Sequence, residues 1–586
     1  MDAFSSSFLS SLSPQPQITI PLLVSPSSKN FPLRHISCVS IGQNLPTTTA
    51  TSKSPLHRKT NSLKPALILS NVLNALDGFI NTTLDPVHSH HSSSDPTRVL
   101  TNNFAPVDEL PPTECPVVEG TLPECLDGAY IRNGPNPQFF PRGPYHLFEG
   151  DGMLHCIRIS KGKATFCSRF VKTYKYKAEK EVGSPIIPNF FSVFNGGLKV
   201  FIVRWGLAAA RIISGQFTTG NGIGSANIGV ALIGGKLYAM GESDLPYEIK
   251  LEPNGDITTL DRYDFDGKLK ASMTPHPKID PETKEAFAFT LGIIRAPFLT
   301  FFRVNPDGTK QQDVPVFSVK SSPFMHDLAI TKNYAIFPDI QIGVDVLKIV
   351  TGGRSPVGSD PGKVPRLGVL PKYAVDGGEM RWFDVPGLNF VHVINAWEED
   401  EGDTIVVVGP NLLSVEHFLD RMDLVHASIE KIKIDLKTGM VCRHPVSARS
   451  LEFGVINPAY VGKKTKYVYA AIGVPNQVPI ISGVVKLDIS QSEEIDRHDC
   501  VVASRLYGPG CYGGEPFFVA KEPGNPNSDE DDGYVICFVH DKNNGESRFL
   551  VMDSKSPNLD IIATVMLPHR VPSGFHGLFI RESDLN

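Results

Sequence analysis

The stretch "GYVICFVHDKNNGESRFLVMDSKSPNLDIIATVML" (533–567) decides the fold class. Three segments rich in β-branched and aromatic residues begin at positions 533, 546 and 559, thirteen residues apart. Short polar turns separate them, and the first turn contains the hairpin pair Asn544-Gly545. This pattern predicts a three-stranded antiparallel meander.

Similar units recur at 234–260 and 402–410, and glycine (50) and proline (48) are both frequent. Repeated meanders over about 490 residues predict an all-β fold, a β-propeller, because a ring of blades protects most strand edges. Seven blades would take about 70 residues each. About 70 residues per blade exceed what four strands need, so we expect insertions that form a helical and loop cap on one face. A pair of β-sandwiches is the alternative that the pattern leaves open.

The N-terminal segment 1–65 has a different composition. Residues 1–76 contain six basic residues against one acidic residue, and residues 1–65 contain 20 serines or threonines. This composition predicts a disordered plastid transit peptide. A disordered tail without a targeting role is the alternative.

Residues 66–95 follow as a predicted amphipathic helix, over 67–84, and a linker. The propeller domain then spans 96–586. No run of about 18 uncharged apolar residues occurs, so we expect no membrane-spanning helix. The net charge of −6 argues against a nucleic-acid partner, and nine cysteines without a CxxC pair fit a reducing compartment.

Four histidines lie in or beside apolar or proline-bounded stretches, where an unpaired imidazole costs free energy. They are His276 in "TPHPKIDPET", His326 in "SPFMHDLAIT", His392 in "LNFVHVINAW" and His576 in "PSGFHGLFI". Their large separations exclude a short HxH or HExxH motif. In a propeller, however, such segments converge at the axis, so the four rings could meet one metal ion. Taken singly, such a histidine is more often a satisfied core residue than a metal ligand.

Three carboxylates stand among apolar or small neighbours. They are Glu242 in "GESDLPY", Glu452 in "SLEFGVINPAY" and Glu515 in "CYGGEPFFVA". A metal-bound imidazole usually donates its other N–H to such a carboxylate. Structural ion pairs are the alternative for each.

Several motifs in one order resemble the carotenoid cleavage dioxygenase family. They include "LDGAYIRNGPNPQF" (126–139), "FEGDGMLH" (148–155), "HPKIDPET" and "GFHGLF", and the chain is most similar to the plant type-4 subgroup. The resemblance covers nearly everything from about residue 100 onward.

The resemblance implies a seven-bladed propeller that carries one Fe(II) per chain, held by His276, His326, His392 and His576. It pairs Glu242 with His326, Glu452 with His392 and Glu515 with His576, and it leaves His276 without a carboxylate.

The resemblance also implies oxidative cleavage by O2 of a C=C bond in a carotenoid or apocarotenoid that lies in an apolar tunnel under the cap. We expect two carbonyl products and cleavage at the 9,10 and/or 9′,10′ bonds. Cleavage at 7,8 (7′,8′), or at 11,12 of a 9-cis-epoxycarotenoid, is the alternative. A carotenoid-binding propeller without turnover is a hypothesis of another class.

A carotenoid resides in membrane, so we expect a plastid protein that makes peripheral contact with a plastid membrane or plastoglobule surface. The inserted apolar segment 196–217 is the first candidate anchor, with Trp205 at the interface and with Arg204 and Arg211 reaching outward to the headgroups. The helix over 67–84 is the second candidate, and packing of either helix on the propeller is the alternative. We expect a monomer.

Overall fold

The computed structural model describes residues 63–84, 94–189, 197–344, 357–419, 421–475, 477, 479–493 and 499–585. Residues 1–62 of the predicted transit peptide (1–65) and most of the linker, residues 85–93, lie outside the described residues, whereas residues 63–65 are helical.

The α-helices in the described residues are α1 (Leu63–Phe79), α2 (Pro96–Val99), α3 (Tyr174–Val182) and α4 (Gly197–Ile213), and α1 continues as a π-helical turn, Ile80–Leu84. The strands up to residue 320 are β1 (Leu110–Cys115), β2 (Val117–Gly120), β3 (Gly128–Pro135), β4 (Gly152–Ser160), β5 (Lys163–Phe170), β6 (Gly229–Ile233), β7 (Lys236–Met240), β8 (Tyr247–Leu251), β9 (Ile257–Arg262), β10 (Lys278–Ile279), β11 (Ala286–Leu291), β12 (Leu299–Val304) and β13 (Val314–Val316).

The middle of the chain forms β14 (Ala329–Ile330), β15 (Tyr334–Asp339), β16 (Ile342–Val344), β17 (Val357–Ser359), β18 (Arg366–Pro371), β19 (Arg381–Asp384), β20 (Asn395–Glu399), β21 (Thr404–Leu412), β22 (Ala427–Asp435) and β23 (Val441–Ser447). The remaining strands are β24 (Leu451–Val455), β25 (Tyr467–Gly473), β26 (Ile481–Asp488), β27 (Val501–Leu506), β28 (Cys511–Gly513), β29 (Phe517–Ala520), β30 (Gly533–Asp541), β31 (Glu546–Asp553), β32 (Ile561–Leu567) and β33 (Gly577–Arg581).

Seven antiparallel sheets of four to six strands form the blades of a propeller. Blade 1 has the order β1-β5-β4-β3-β33, blades 2 and 3 contain β6–β9 and β10–β13, and blade 4 has the order β14-β15-β18-β19. Blades 5 and 6 contain β20–β23 and β24–β27, and blade 7 contains β28–β32 together with β2. The predicted all-β, seven-bladed propeller is therefore confirmed.

The meander predicted over residues 533–567 is the centre of blade 7. Strands β30, β31 and β32 pair antiparallel in that order. The turn between the first two strands places Gly545 at φ +77°, a left-handed conformation that glycine adopts without strain.

A separate apolar core lies between each pair of neighbouring blades. Between blades 1 and 7, for example, Tyr130 and Phe166 pack against Phe538 and Phe549. Equivalent clusters join the blades of each of the six remaining neighbouring pairs around the ring. This closed circle of seven cores excludes the paired β-sandwiches.

Strands from distant parts of the chain close the ring twice. The late strand β33 pairs with β3 in blade 1, and the early strand β2 pairs with β32 in blade 7. Each closing blade therefore contains strands from both ends of the described chain.

The cap lies on the face where the first strand of each blade begins. The connection from β5 to β6 contains α3 and α4, and the connection from β15 to β18 contains the β16–β17 hairpin. In an antiparallel blade these connections reach the same face. The predicted inserted segment 196–217 accordingly contains α4.

Helices α1 and α4 pack together on this face. Leu73 and Ile80 of the α1 segment form a buried cluster with Leu207 of α4. Arg211 is buried, and its Nη2 lies 3.3 Å from Asp77 Oδ2. The expectation that Arg211 reaches outward is therefore wrong, because the guanidinium finds a carboxylate on α1 that the pattern of α4 alone cannot reveal. Arg204 also turns to α1, where Nη2 donates to Asn81 Oδ1 at 2.7 Å.

The other side of this helix pair is apolar and exposed. Leu69, Val72, Leu76 and Phe79 of α1 are exposed, as are several side chains of α4, namely Ile202, Trp205 and Ile213. The stripe predicted for the 67–84 helix is thus divided between packing on α4 and exposure. Among the described residues, no helix is long and apolar enough to cross a bilayer.

Candidate metal centre

The four predicted histidines lie just before the innermost strands of four blades. His276 precedes β10 of blade 3, and His326 precedes β14 of blade 4. His392 precedes β20 of blade 5, and His576 directly precedes β33 of blade 1. Because the innermost strand of each blade lines the axis of a propeller, this shared position brings the rings together despite their distance in sequence.

One ligand atom from each of the four imidazoles lies within 4.8 Å of those of the others. The Nε2 atoms of His276 and His326 are 2.9 Å apart. The ring of His276 also lies 4.3 Å from that of His576 and 5.3 Å from that of His392, between centroids. The cluster therefore surrounds one small volume.

Three rings use Nδ1 to contact a carboxylate. His392 Nδ1 lies 3.1 Å from Glu452 Oε2, and His576 Nδ1 lies 2.8 Å from Glu515 Oε1. His326 Nδ1 hydrogen-bonds Glu242. These are the three pairings that the resemblance implies. In each pair the bond at Nδ1 leaves Nε2 to face the centre.

The carboxylates hold backbone as well as rings. The Gly577 amide donates to Glu515 Oε2 at 2.9 Å, and the Phe453 amide donates to Glu452 Oε2 at 2.5 Å. Burial alone raises the pKa of Glu452, but the adjacent His392 and the Phe453 amide outweigh it, so the net pKa is lowered. Burial likewise opposes His326 at Glu242, and the pKa of Glu242 is also lowered. Both carboxylates are thus favoured as ionised acceptors.

His276 differs from the other three rings. Within the described part of the chain, no hydrogen bond joins it to a carboxylate. Burial, and then the neighbouring rings, lower the pKa of His276 well below its usual 6.5. The neutral ring carries a nitrogen lone pair, which is the form that binds a metal.

The structure of the cluster by itself indicates a site that could hold a metal ion. Among the described residues, the buried Nε2 of His392 has no hydrogen-bond partner. A buried acceptor is rarely left unpaired in a folded protein. Four converging imidazoles suit iron, zinc, copper or nickel, so the residues present could hold such an ion.

Each blade contributes one of the seven predicted residues. Blades 1, 3, 4 and 5 contribute the histidines, whereas blades 2, 6 and 7 contribute the glutamates, which lie after β7, in β24 and between β28 and β29, respectively. The structure brings these seven residues close to one another.

A cavity of about 200 Å³ opens beside the cluster under the cap. Its wall includes His326, His392 and His576. Most of the remaining wall is apolar, and its aromatic part consists of Phe104, Phe148, Phe324, Phe418, Phe453 and Phe575. An apolar space that touches a metal-binding cluster suits an apolar ligand.

Phe453 was missed by the sequence analysis. It adopts φ +50°, which is rare for a bulky residue and clusters at functional sites. Its ring centroid lies 5.8 Å from that of His392 and 5.5 Å from that of His576. In the sequence, the only local feature that could have indicated a place for Phe453 at this site is its position directly after Glu452.

The family model described as RPE65, retinal pigment epithelial membrane protein, matches residues 104–581, the whole propeller and its cluster. The chain belongs to the RPE65/carotenoid oxygenase family. This bears out the family resemblance seen in the motifs.

Curated members of the carotenoid oxygenase family are similar over most of the chain. A probable carotenoid cleavage dioxygenase 4, chloroplastic, from Arabidopsis thaliana is 59% identical over 91% of this chain and 90% of its own length. A 9-cis-epoxycarotenoid dioxygenase, NCED1, from Oryza sativa subsp. japonica is 53% identical over 87% of this chain and 80% of its length. Both are oxygen-incorporating oxidoreductases by name, and this chain is an enzyme of the same family.

A solved structure has the same architecture. A Synechocystis apocarotenoid oxygenase superposes with a TM-score of 0.67 at 25% identity, over 83% of this chain and 99% of that chain.

Proposed function

We propose that this chain is an Fe(II)-dependent dioxygenase that cleaves a C=C bond of a carotenoid or apocarotenoid into two carbonyl products. The bond proposed is the 9,10 and/or 9′,10′ bond. The observation that carries the proposal is the four-imidazole cluster in the wall of an apolar cavity, in a chain of this family.

The histidines would hold one iron per chain through neutral nitrogens, His276, His326, His392 and His576. When bound, Fe(II) supplies the activation of O2 beside the alkene. The carboxylates of Glu242, Glu452 and Glu515 contact Nδ1 of three rings, so that these three rings need not reorient when the metal binds. A set of neutral ligands contributes no negative charge to the metal.

The cavity would set which bond reacts. Most of its wall is apolar, so the position of a polyene would depend mainly on the shape of the cavity and on where the chain stops sliding. A volume of about 200 Å³ is below the roughly 300–1,000 Å³ of pockets for drug-sized ligands. A full-length carotenoid would therefore occupy it along only part of its length.

Two relatives support the choice of substrate class by what their names state. The 59% identical relative is named for carotenoid cleavage, and the 53% identical relative for 9-cis-epoxycarotenoids. Cleavage at 11,12 of an epoxycarotenoid and cleavage at 7,8 (7′,8′) are the competing outcomes.

The product masses from β-carotene, zeaxanthin, a 9-cis-epoxycarotenoid and an apocarotenal test the proposal. We expect about one iron per chain and fragments from 9,10 cleavage. His326→Ala should lose both metal and product, whereas His417→Ala, at a half-buried histidine outside the cluster, should lose neither. Full activity with far less than one metal per chain, or binding without products, would reject the enzyme mechanism.

The proposal places the protein in plastids, as the names of both relatives state for those proteins. The exposed apolar side of α1 and α4 would make peripheral contact with a plastid membrane or plastoglobule, from which substrate is taken. We propose a monomer and no nucleic-acid partner.

A further inference from the structure

The Asp327 carboxylate joins two of the histidine segments. It directly follows His326 in sequence and is buried, with 2% exposure. Its Oδ1 accepts from the Leu328 amide at 2.7 Å, and its Oδ2 accepts from the Val393 amide at 2.8 Å. Since Val393 directly follows His392, one side chain fixes the backbone beside two candidate ligands on different blades.

Lys278 connects the segment that contains His276 to the Asp327 carboxylate. It lies two residues after His276, and its Nζ is 2.8 Å from Asp327 Oδ1 and 3.1 Å from Oδ2. The same ammonium donates to the Val393 carbonyl at 3.3 Å. The lysine of blade 3 therefore meets both the carboxylate of blade 4 and the backbone of blade 5.

Thr274 makes a second link between the first two segments. Its hydroxyl donates to the His326 carbonyl at 2.7 Å and accepts from the His276 amide at 3.1 Å. The backbones of these two candidate ligands are thus held to one side chain.

We infer that the Lys278–Asp327 ion pair is a shared brace that positions three of the four candidate metal ligands. The three are His276, His326 and His392. The brace matters most for His276, which has no carboxylate contact of its own in the described structure. The fourth ligand, His576, is held separately, because Glu515 contacts both its ring and the next amide.

A structural ion pair alone is a weaker explanation of this arrangement. Burying a carboxylate and an ammonium costs desolvation that their attraction often only balances, so such pairs contribute little net stability. The contacts of this pair are concentrated instead on the backbone within two residues of each ligand. Their effect is to fix the distance between three blades at the point where a metal would bridge them.

The test measures metal affinity rather than turnover, because the inference rests on the proposed metal site. Asp327→Asn keeps the shape but can serve only one of the two amides and loses the ion pair. Lys278→Gln removes the charge. We expect each variant of the full chain to bind Co²⁺, followed by its visible absorption, about 10- to 100-fold more weakly than the wild type.

Lys486 and Asp531 provide matched controls. They form another largely buried lysine–aspartate pair between neighbouring blades, with Nζ 2.5 Å from Oδ2. Asp531 lies just before β30, at the end of blade 7 opposite to Glu515. Lys486→Gln and Asp531→Asn should cost similar stability but change Co²⁺ affinity less than twofold.

Hydrogen exchange of the metal-free proteins gives a second measurement. Asp327→Asn should accelerate exchange of the Leu328 or Val393 amide, and the control variants should not. Wild-type Co²⁺ affinity in both brace variants would overturn the inference. If the wild type itself binds no metal, the proposed function fails, and unchanged exchange at both amides would then overturn the brace as well.

Discussion

The candidate ligands are imidazoles whose orientation is set by their second nitrogen. Nδ1 of His392 and His576 is committed to a glutamate, which leaves Nε2 as the atom that faces the centre. His276 reaches the same place without a carboxylate. The four rings therefore do not have equivalent supports, and substitutions around them should differ in effect.

Glu515→Gln should weaken metal binding or the cleavage rate on the order of 10- to 100-fold. The amide can still accept one hydrogen bond, but it has no negative charge and cannot accept from both His576 and the Gly577 amide. Metal titration and initial rates measure the effect. Glu546→Gln, at an exposed acid in the same blade, is the control, and equal behaviour of the two variants would contradict the role of Glu515.

The residues of the candidate site were predictable where the neighbouring sequence distinguishes them from ordinary polar residues. Each histidine and glutamate is a polar residue in an apolar or tightly turned stretch. Asp327 carries the same signal in "MHDLAIT", but its partners do not, because Lys278 and Val393 lie 49 and 66 residues away on other blades. Such contacts depend on blade geometry, which no local pattern contains.

The pair of α1 and α4 shows the same limit for secondary structure. Helical spacing predicts both helices, yet each apolar stripe is divided between a buried and an exposed part. Arg211 appears from its own helix to be a surface residue, but Asp77 and Asn74 of α1 bind it. Which side of a helix is covered depends on a partner distant in the chain.

The exposed apolar side of this helix pair should bind lipid. Trp205→Ser with Ile213→Ser should weaken binding to vesicles of phosphatidylcholine and phosphatidylglycerol at least about tenfold, since burying one large apolar side chain contributes about 1.5–3 kcal/mol. Vesicle flotation measures this, while activity on detergent-solubilised substrate should persist.

Val375→Ser is the matched control for lipid binding. Val375 and Ile213 are each 86% exposed, but Val375 follows β18 at the opposite face of the propeller. Equal losses from the two changes would show that binding does not use the helix pair.

The ring of blades was predictable because meanders recur along the chain, although the pattern alone left a pair of β-sandwiches open. Its closure was not, since β2 and β33 carry no mark that assigns them to blades 7 and 1. Those assignments follow from which edges remain unpaired once the other strands have formed.

Metal binding should stabilise this ring, because the four candidate ligands come from four blades. A free metal concentration 100 times Kd adds about 2.7 kcal/mol to the free energy of unfolding. Thermal unfolding of metal-free protein should therefore shift upward by a few degrees as Co²⁺ is added. An equal shift in His326→Ala would show that the ion acts elsewhere.

The closing strand has a consequence for biosynthesis. His576 directly precedes β33, so a nascent chain on the ribosome holds three of the four imidazoles well before the last is made. The fourth takes its place only when the ring shuts against β3. A chain cleaved between residues 568 and 576 would lose both the fourth candidate ligand and the strand that completes blade 1. Such an open ring should not retain a metal ion.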